Sequence, residues 1–333
     1  MKAWQIVTDG IDALTLADLD VPAPGPGEVR VKIEASSINY RDLMTIKFAA
    51  ARGIPLPRIP NSDGAGTVTA IGPGVTGIAV GDRVASCFFQ DWTDGACSPE
   101  AMASALGGAL DGVLAEEVVL KADGVVPVPA HLSTLEAATL PCAALTAWNA
   151  LVEVGRLKAG DTVLLLGTGG VSIFALQFAT AMGARVILTS SSDAKLERAR
   201  AMGAAETVNY KANPDWQKAV LDLTGGRGVD VTVEVGGPGT LARSVEATRV
   251  AGRVALIGVL TGGTIDPTLI MRKSITLQGV YVGSRRMFRE MNKALDLHSI
   301  KPVIDHTVPF ADARAAYHAM EAAGHFGKIV IAG

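Results

Sequence analysis

From about residue 127 onward, short apolar runs alternate with stretches in which apolar positions recur every three or four residues. The apolar runs predict buried strands at Thr162 to Leu166, Arg185 to Thr189, Glu206 to Tyr210, Val229 to Val235, Arg253 to Val259 and Ile275 to Val282. Helical patterns at Ser172 to Met182 and Asp193 to Met202 lie between the first of them, and each meets a glycine, the usual helix stop. Strand, helix and strand in this order predict a parallel sheet covered on both faces. The first third has another texture. Gly- and Pro-rich turns such as Pro22 to Gly27 separate alternating segments, among them Val29 to Glu34, Gly66 to Gly72 and Asp82 to Ala85, which predict a mostly β module. The last fifty residues predict a helix over Ala311 to Ala323 and a strand over Lys328 to Ile331, expected to return to the first module.

A chain of 333 residues, at about 150 per domain, divides into two. The change of texture sets the expected boundaries: 1–126 with 284–333 on the substrate side, and 127–283 as an inserted, doubly wound α/β domain. With 49% hydrophobic and 19% charged residues the chain is expected to fold rather than stay disordered. Its net charge of −3 and lack of a basic run argue against nucleic acid as a partner. No apolar run approaches the ~20 residues of a membrane helix, and the start resembles no signal peptide, so a soluble, cytoplasmic protein is expected. Cys87, Cys97 and Cys142 form no CxxC pair and are read as free thiols.

The strand Thr162 to Leu166 runs into Gly167-Thr168-Gly169-Gly170-Val171-Ser172 and then a helical pattern. Strand, glycine turn and helix is the context in which such a motif binds a dinucleotide. Gly167 permits the tight turn, Gly169 leaves room for a pyrophosphate, and the helix N-terminus offers free N–H groups. Ser172 stands where the third glycine of the motif would be. About twenty residues on, where NAD binders carry an acid for the ribose 2′-hydroxyl, the chain has Ser190-Ser191-Ser192 with Lys195 nearby. Hydroxyls and a cation suit a 2′-phosphate, which favours NADPH. The serines equally suit a helix N-cap, and the two roles are compatible.

Pro24-Gly25-Pro26-Gly27-Glu28-Val29, Asn39-Tyr40-Arg41-Asp42, Asp63-Gly64-Ala65-Gly66-Thr67-Val68, Gly81-Asp82-Arg83-Val84, Ala137 to Trp148, the glycine turn and Gly327-Lys328-Ile329-Val330 together resemble the medium-chain dehydrogenase/reductase superfamily. The zinc-independent quinone oxidoreductase and enoyl reductase branch is the nearest in pattern. The resemblance implies a doubly wound Rossmann domain and a mostly β, GroES-like substrate-side domain, with cofactor and substrate meeting at the carboxyl ends of the parallel strands. Zinc-dependent members carry Cys where this chain has Asn39 and Gly-His-Glu where it has Asn61-Ser62-Asp63, while Cys142 keeps a third ligand position. No catalytic metal is therefore expected.

The resemblance further implies that Asn39 and Thr146 contact the nicotinamide ribose and phosphate region, and that Gly169, Gly170 and Val171 meet the pyrophosphate. It places Ser190, Ser191, Lys195 and Tyr210 around the adenosine phosphate, Ile257, Val280 and Val282 at strand ends holding the carboxamide, and Lys328 near the cofactor. Hydride transfer to a conjugated C=C or a quinone fits a site without a Lewis acid, with Tyr40 as candidate proton donor or, alternatively, a packing residue. Phe48 to Pro60 and Phe88 to Gly112 are expected to shape the pocket. Arg285, Arg286 and Arg289 suit a charged helix face better than a CoA phosphate site. A homodimer is expected through apolar strands at the sheet edge. Two other readings remain: a zinc-type alcohol dehydrogenase built around Cys142 and Asp63, and an NADPH-binding protein without activity.

Overall fold

Every residue of Thr162–Leu166 is buried, as a strand covered on both faces must be. This strand (β1) pairs in parallel with Arg185–Ser190 (β2), and β2 pairs with Glu206–Asn209 (β3). On its other side β1 meets Val229–Glu234 (β4), followed by Thr248–Leu256 (β5) and Thr276–Gly279 (β6), all parallel. The order β3-β2-β1-β4-β5-β6 reverses direction between β1 and β4. In such sheets that reversal opens a crevice at the carboxyl ends, where ligands bind.

The computed structural model describes residues 1–21 and 23–333 and divides the chain into two units, Met1–Leu145 with Val282–Gly333, and Thr146–Tyr281. The first thus extends beyond the expected 126 because residues 127–145 are tied to it. Arg83 donates to the carbonyls of Pro129 and Leu132, and the Cys142 N–H donates to Asp63 Oδ2 at 3.0 Å. In this unit Glu28–Ser37 pairs antiparallel with Asp63–Ile71, Glu117–Lys121 and the returning Lys328–Ala332, the mostly β, GroES-like architecture expected. Valines and isoleucines of these strands pack with Tyr317 and Met320 of the helix Ala313–Glu321.

The expected strands at 253–259 and 275–282 are each cut short. After Leu256 the N–H groups of Ile257 and Gly258 both turn to the Glu234 carbonyl, at 2.8 and 2.9 Å, which ends β5. Ladder pairing of β6 stops at Gly279. Val282 takes a φ of 59°, outside the extended region a strand needs. Among the described residues no helix is long and apolar enough to cross a membrane.

Candidate active site

In the second unit the turn after β1 is built as its chemistry requires. Gly167 adopts a φ of 73°, which only glycine takes without strain, and its N–H donates to Thr189 O at 2.8 Å. Gly169 precedes the helix Gly170–Ala181, and a methyl group added to it would meet nothing within 4 Å. That open space above a helix N-terminus is where a diphosphate would sit. Ser172 is buried and donates to Leu166 O at 2.7 Å, so its hydroxyl ties helix to strand where a third glycine would only have allowed close approach.

Ser190 ends β2 opposite Asn209 of β3, and its carbonyl accepts the Tyr210 N–H at 3.1 Å. Ser192 caps the helix Asp193–Ala201, its hydroxyl 3.5 Å from the Lys195 N–H, while the acid of that turn, Asp193, accepts from Asn209 Nδ2 at 2.7 Å. Ser190, Ser191 and Tyr210 therefore lie at neighbouring strand ends, with Lys195 in the first turn of the helix that follows β2.

Across the reversal point stands a residue that the sequence reading passed over. Glu234, at the end of β4, is fully buried, and its Oε1 accepts from the N–H groups of Gly236 (2.7 Å) and Gly237 (3.0 Å) and from Thr240 Oγ1 (2.7 Å). Ser244 Oγ donates to the other oxygen. One side chain thus shapes the turn after β4, and its carbonyl holds the end of β5. Ile257 follows directly, and the Val280 N–H donates to Leu256 O at 2.9 Å. An acid ending an otherwise apolar strand was the available signal. Thr146 is buried in a helical stretch between two π-helical turns, Leu140–Ala144 and Asn149–Val154.

In the first unit Asn39, Asp42, Asn61, Ser62, Asp63 and Lys328 are all buried. Asn39 precedes the helix Tyr40–Lys47, and its N–H donates to Asp42 Oδ2 at 2.8 Å. Ser62 Oγ donates to Asp63 Oδ1 at 2.6 Å. Asn61 takes a φ of 69° and is held by Tyr317, whose hydroxyl donates to its Oδ1, and by Ser36 Oγ, 2.9 Å from its Nδ2. Lys328 Nζ donates to Ile38 O at 2.8 Å and to Asn39 Oδ1. Tyr40 is 36% exposed, with no hydrogen bond to its hydroxyl among the described residues. Val282 is buried in this unit too. Arg285 and Arg286 engage Asp123, Asp94 and Glu290, which leaves them occupied as a charged helix face.

Burial pushes the Asp63 carboxyl up to about 6, with Lys328 opposing and Asp42 adding to the shift. Burial, and then Asp63, push the Cys142 thiol far above its ordinary range, which disfavours the thiolate a metal would need. Because the folded-state pKa of Asp63 lies above the unfolded value of 3.8, its contribution to stability is complete below about 4 and is lost as pH rises through about 6. A shift of that size corresponds to roughly 3 kcal/mol. Asp63→Asn keeps an acceptor for the Cys142 N–H and turns its NH₂ to Ser62 Oγ. It should therefore be more stable than the unaltered protein at pH 8, by up to about 3 kcal/mol, with the gap shrinking below about pH 6 and closing toward pH 4. Thermal unfolding measured across that range checks it, and a gap independent of pH would refute the assignment.

Residues 25–130 match the alcohol dehydrogenase GroES-like domain, and residues 170–297 match the zinc-binding dehydrogenase domain. A zinc-type alcohol dehydrogenase-like protein of Schizosaccharomyces pombe is 42% identical, over 97% of this chain and 96% of its own length. The crystal structure of an NAD-dependent alcohol dehydrogenase superposes with a TM-score of 0.92 at 36% identity, covering 100% of both chains. A mycobacterial protein complexed with NADPH superposes with a TM-score of 0.84 at 30% identity, again over 100% of both. The residues of this chain do not fit the zinc these descriptions suggest. Asn39 Oδ1 is taken by an ammonium, Ser62 Oγ faces Asp63, and burial disfavours the thiolate of Cys142. Among the described residues no group of three or more His, Cys, Asp or Glu stands together as ligands.

Proposed function

This chain belongs to the medium-chain dehydrogenase/reductase superfamily, and from that premise we propose that it is an NADPH-dependent reductase of activated C=C bonds or quinones that works without a catalytic metal. The observation that carries the reading is that Lys328 engages the Asn39 side-chain oxygen and Ser62 Oγ donates to Asp63, at two positions where zinc-dependent members carry ligands. The superposition on a protein complexed with NADPH supports the cofactor. So do the serines and Lys195 at the end of β2. When bound, NADPH supplies a hydride.

The chain's own residues do the rest. Gly169 and the helix N-terminus bind the diphosphate, and Ser190, Ser191, Lys195 and Tyr210 offset the 2′-phosphate. Hydride addition to the β-carbon of an enone leaves negative charge on the carbonyl oxygen, for which Asn39 Nδ2 is a donor. Tyr40 gives its phenolic proton to the enolate, completing the reduction, and recovers one from solvent. Three free cysteines, Cys87, Cys97 and Cys142, suit a reducing cytoplasmic setting.

NADPH oxidation measured against quinones, enones, enoyl thioesters and aldehydes tests the assignment. Activity on the first two classes should survive exhaustive chelation. Tyr40→Phe should lower kcat by about 10²-fold, and a smaller loss would pass proton delivery to water. Stoichiometric zinc with chelator-sensitive alcohol oxidation would favour the zinc-type reading, and tight NADPH binding without turnover the non-enzymatic one.

The reading extends to assembly. β6 is the outer strand of its sheet, and the neighbouring Val259, Leu260 and Met271 are exposed, an arrangement that favours pairing with a second copy. Sedimentation velocity at micromolar concentration should find a homodimer; a monomer would remove this part.

A further inference from the structure

The glycine turn after β1 is fastened at both ends. At its start the Gly167 N–H donates to Thr189 O at 2.8 Å, and at its end Ser172 Oγ donates to Leu166 O at 2.7 Å. Between the two fastenings stand Gly169 and Gly170, and glycine gives up more conformational freedom on ordering than any other residue. Gly169, which precedes the helix Gly170–Ala181, has no side chain with which to cap it. Among the described residues no other side chain from 167 to 172 makes a hydrogen bond.

A serine inside a helix commonly returns its hydroxyl to a carbonyl three or four residues back. Ser172 instead reaches out of the helix to the last residue of β1, and at 1% exposure its bond is protected from competing water. The bond sets the height of the first helical turn above the strand end. In that turn the first bond within the helix runs from the Ile173 N–H to Gly169 O at 3.0 Å. The N–H groups of Gly170, Val171 and Ser172 have no acceptor inside the helix, so the position of the turn decides where they point.

We propose that Ser172 is a positioning residue, whose hydroxyl holds the first helical turn at the height where those N–H groups meet the cofactor diphosphate. A third glycine lets helix and strand approach closely. The serine also decides where the approach stops. This role rests on the dinucleotide-binding reading of the turn and is the same for NADPH and NADH, because both carry the diphosphate.

The test uses the full chain carrying Ser172→Gly or Ser172→Ala, with NADPH and NADH affinities read by fluorescence titration. Ser172→Gly supplies the glycine of the motif, yet it should bind both cofactors about tenfold more weakly, equivalent to ~1.4 kcal/mol, because binding then has to order the turn. Ser172→Ala should match it, and the ratio of the two affinities should stay where it is in the unaltered protein. Val229→Ala, a buried change at the amino end of β4, controls for lost stability: it should lower the unfolding midpoint and leave both affinities unchanged. Undiminished binding by Ser172→Gly would overturn the proposal, since space alone would then suffice. A loss confined to NADPH, or an equal loss in Val229→Ala, would overturn it too. An unaltered protein that binds neither cofactor would overturn the dinucleotide-binding reading and this role with it.

Discussion

Glu234→Ala should lower the stability of the second unit by about 4 kcal/mol, because it strips a common acceptor from four buried or part-buried donors at once. Among the described residues the N–H groups of Gly236 and Gly237 have no other partner, and each stranded donor costs about 1–3 kcal/mol. Thr240 Oγ1 has a second acceptor in Gly237 O at 3.1 Å, so its share is smaller. Water cannot readily replace the carboxylate. A Cβ on Gly258 would lie 2.2 Å from the Val235 carbonyl carbon, which shows how closely the backbones approach there. Glu234→Gln keeps an oxygen for the two N–H groups and presents its NH₂ to Ser244 Oγ, and should recover most of the loss. Urea unfolding of the three proteins decides it; an alanine variant within about 1 kcal/mol of the unaltered protein would mean that the turn holds itself.

Ser190→Asp should swing the ratio of NADPH to NADH affinity by about 10³-fold, equivalent to ~4 kcal/mol. Part of the swing is repulsion: a carboxylate at the end of β2 opposes the 2′-phosphate that Ser190, Ser191, Lys195 and Tyr210 are proposed to hold. The remainder is gain, because the same carboxylate accepts from the ribose diol of NADH. The unaltered protein is expected to prefer NADPH at least tenfold, equivalent to ~1.4 kcal/mol. Fluorescence titration with both cofactors reads both numbers. Equal affinities in the unaltered protein would assign the serines to helix capping alone, a role Ser192 already fills.

Much of the second unit was legible in the sequence because the forces that shape it act over short stretches. Apolar runs bounded by glycines became β1 to β4 with ends within a residue or so of those expected, and the turn at Gly167 to Ser172 formed between strand and helix. Where local pattern met a distant partner, it yielded. The predicted strands over 253–259 and 275–282 stop early, the first because the Glu234 carbonyl draws off the two N–H groups that follow Leu256. Glu234 itself carried only the weak signal of an acid closing an apolar strand.

The sequence by itself determined the class of fold, the alternation of strands and helices and the glycine turn, all of which are written in residue identity and spacing over a few turns of chain. Tertiary structure alone decided the network in the first unit. Positions 39, 63, 142 and 328 lie far apart in sequence, and no periodicity links them. The ordinary expectation for a lysine preceding an apolar strand is exposure, since burying an unpaired ammonium is prohibitive. Only the fold, by setting the Ile38 carbonyl and the Asn39 side-chain oxygen about its ammonium, allows Lys328 to be buried.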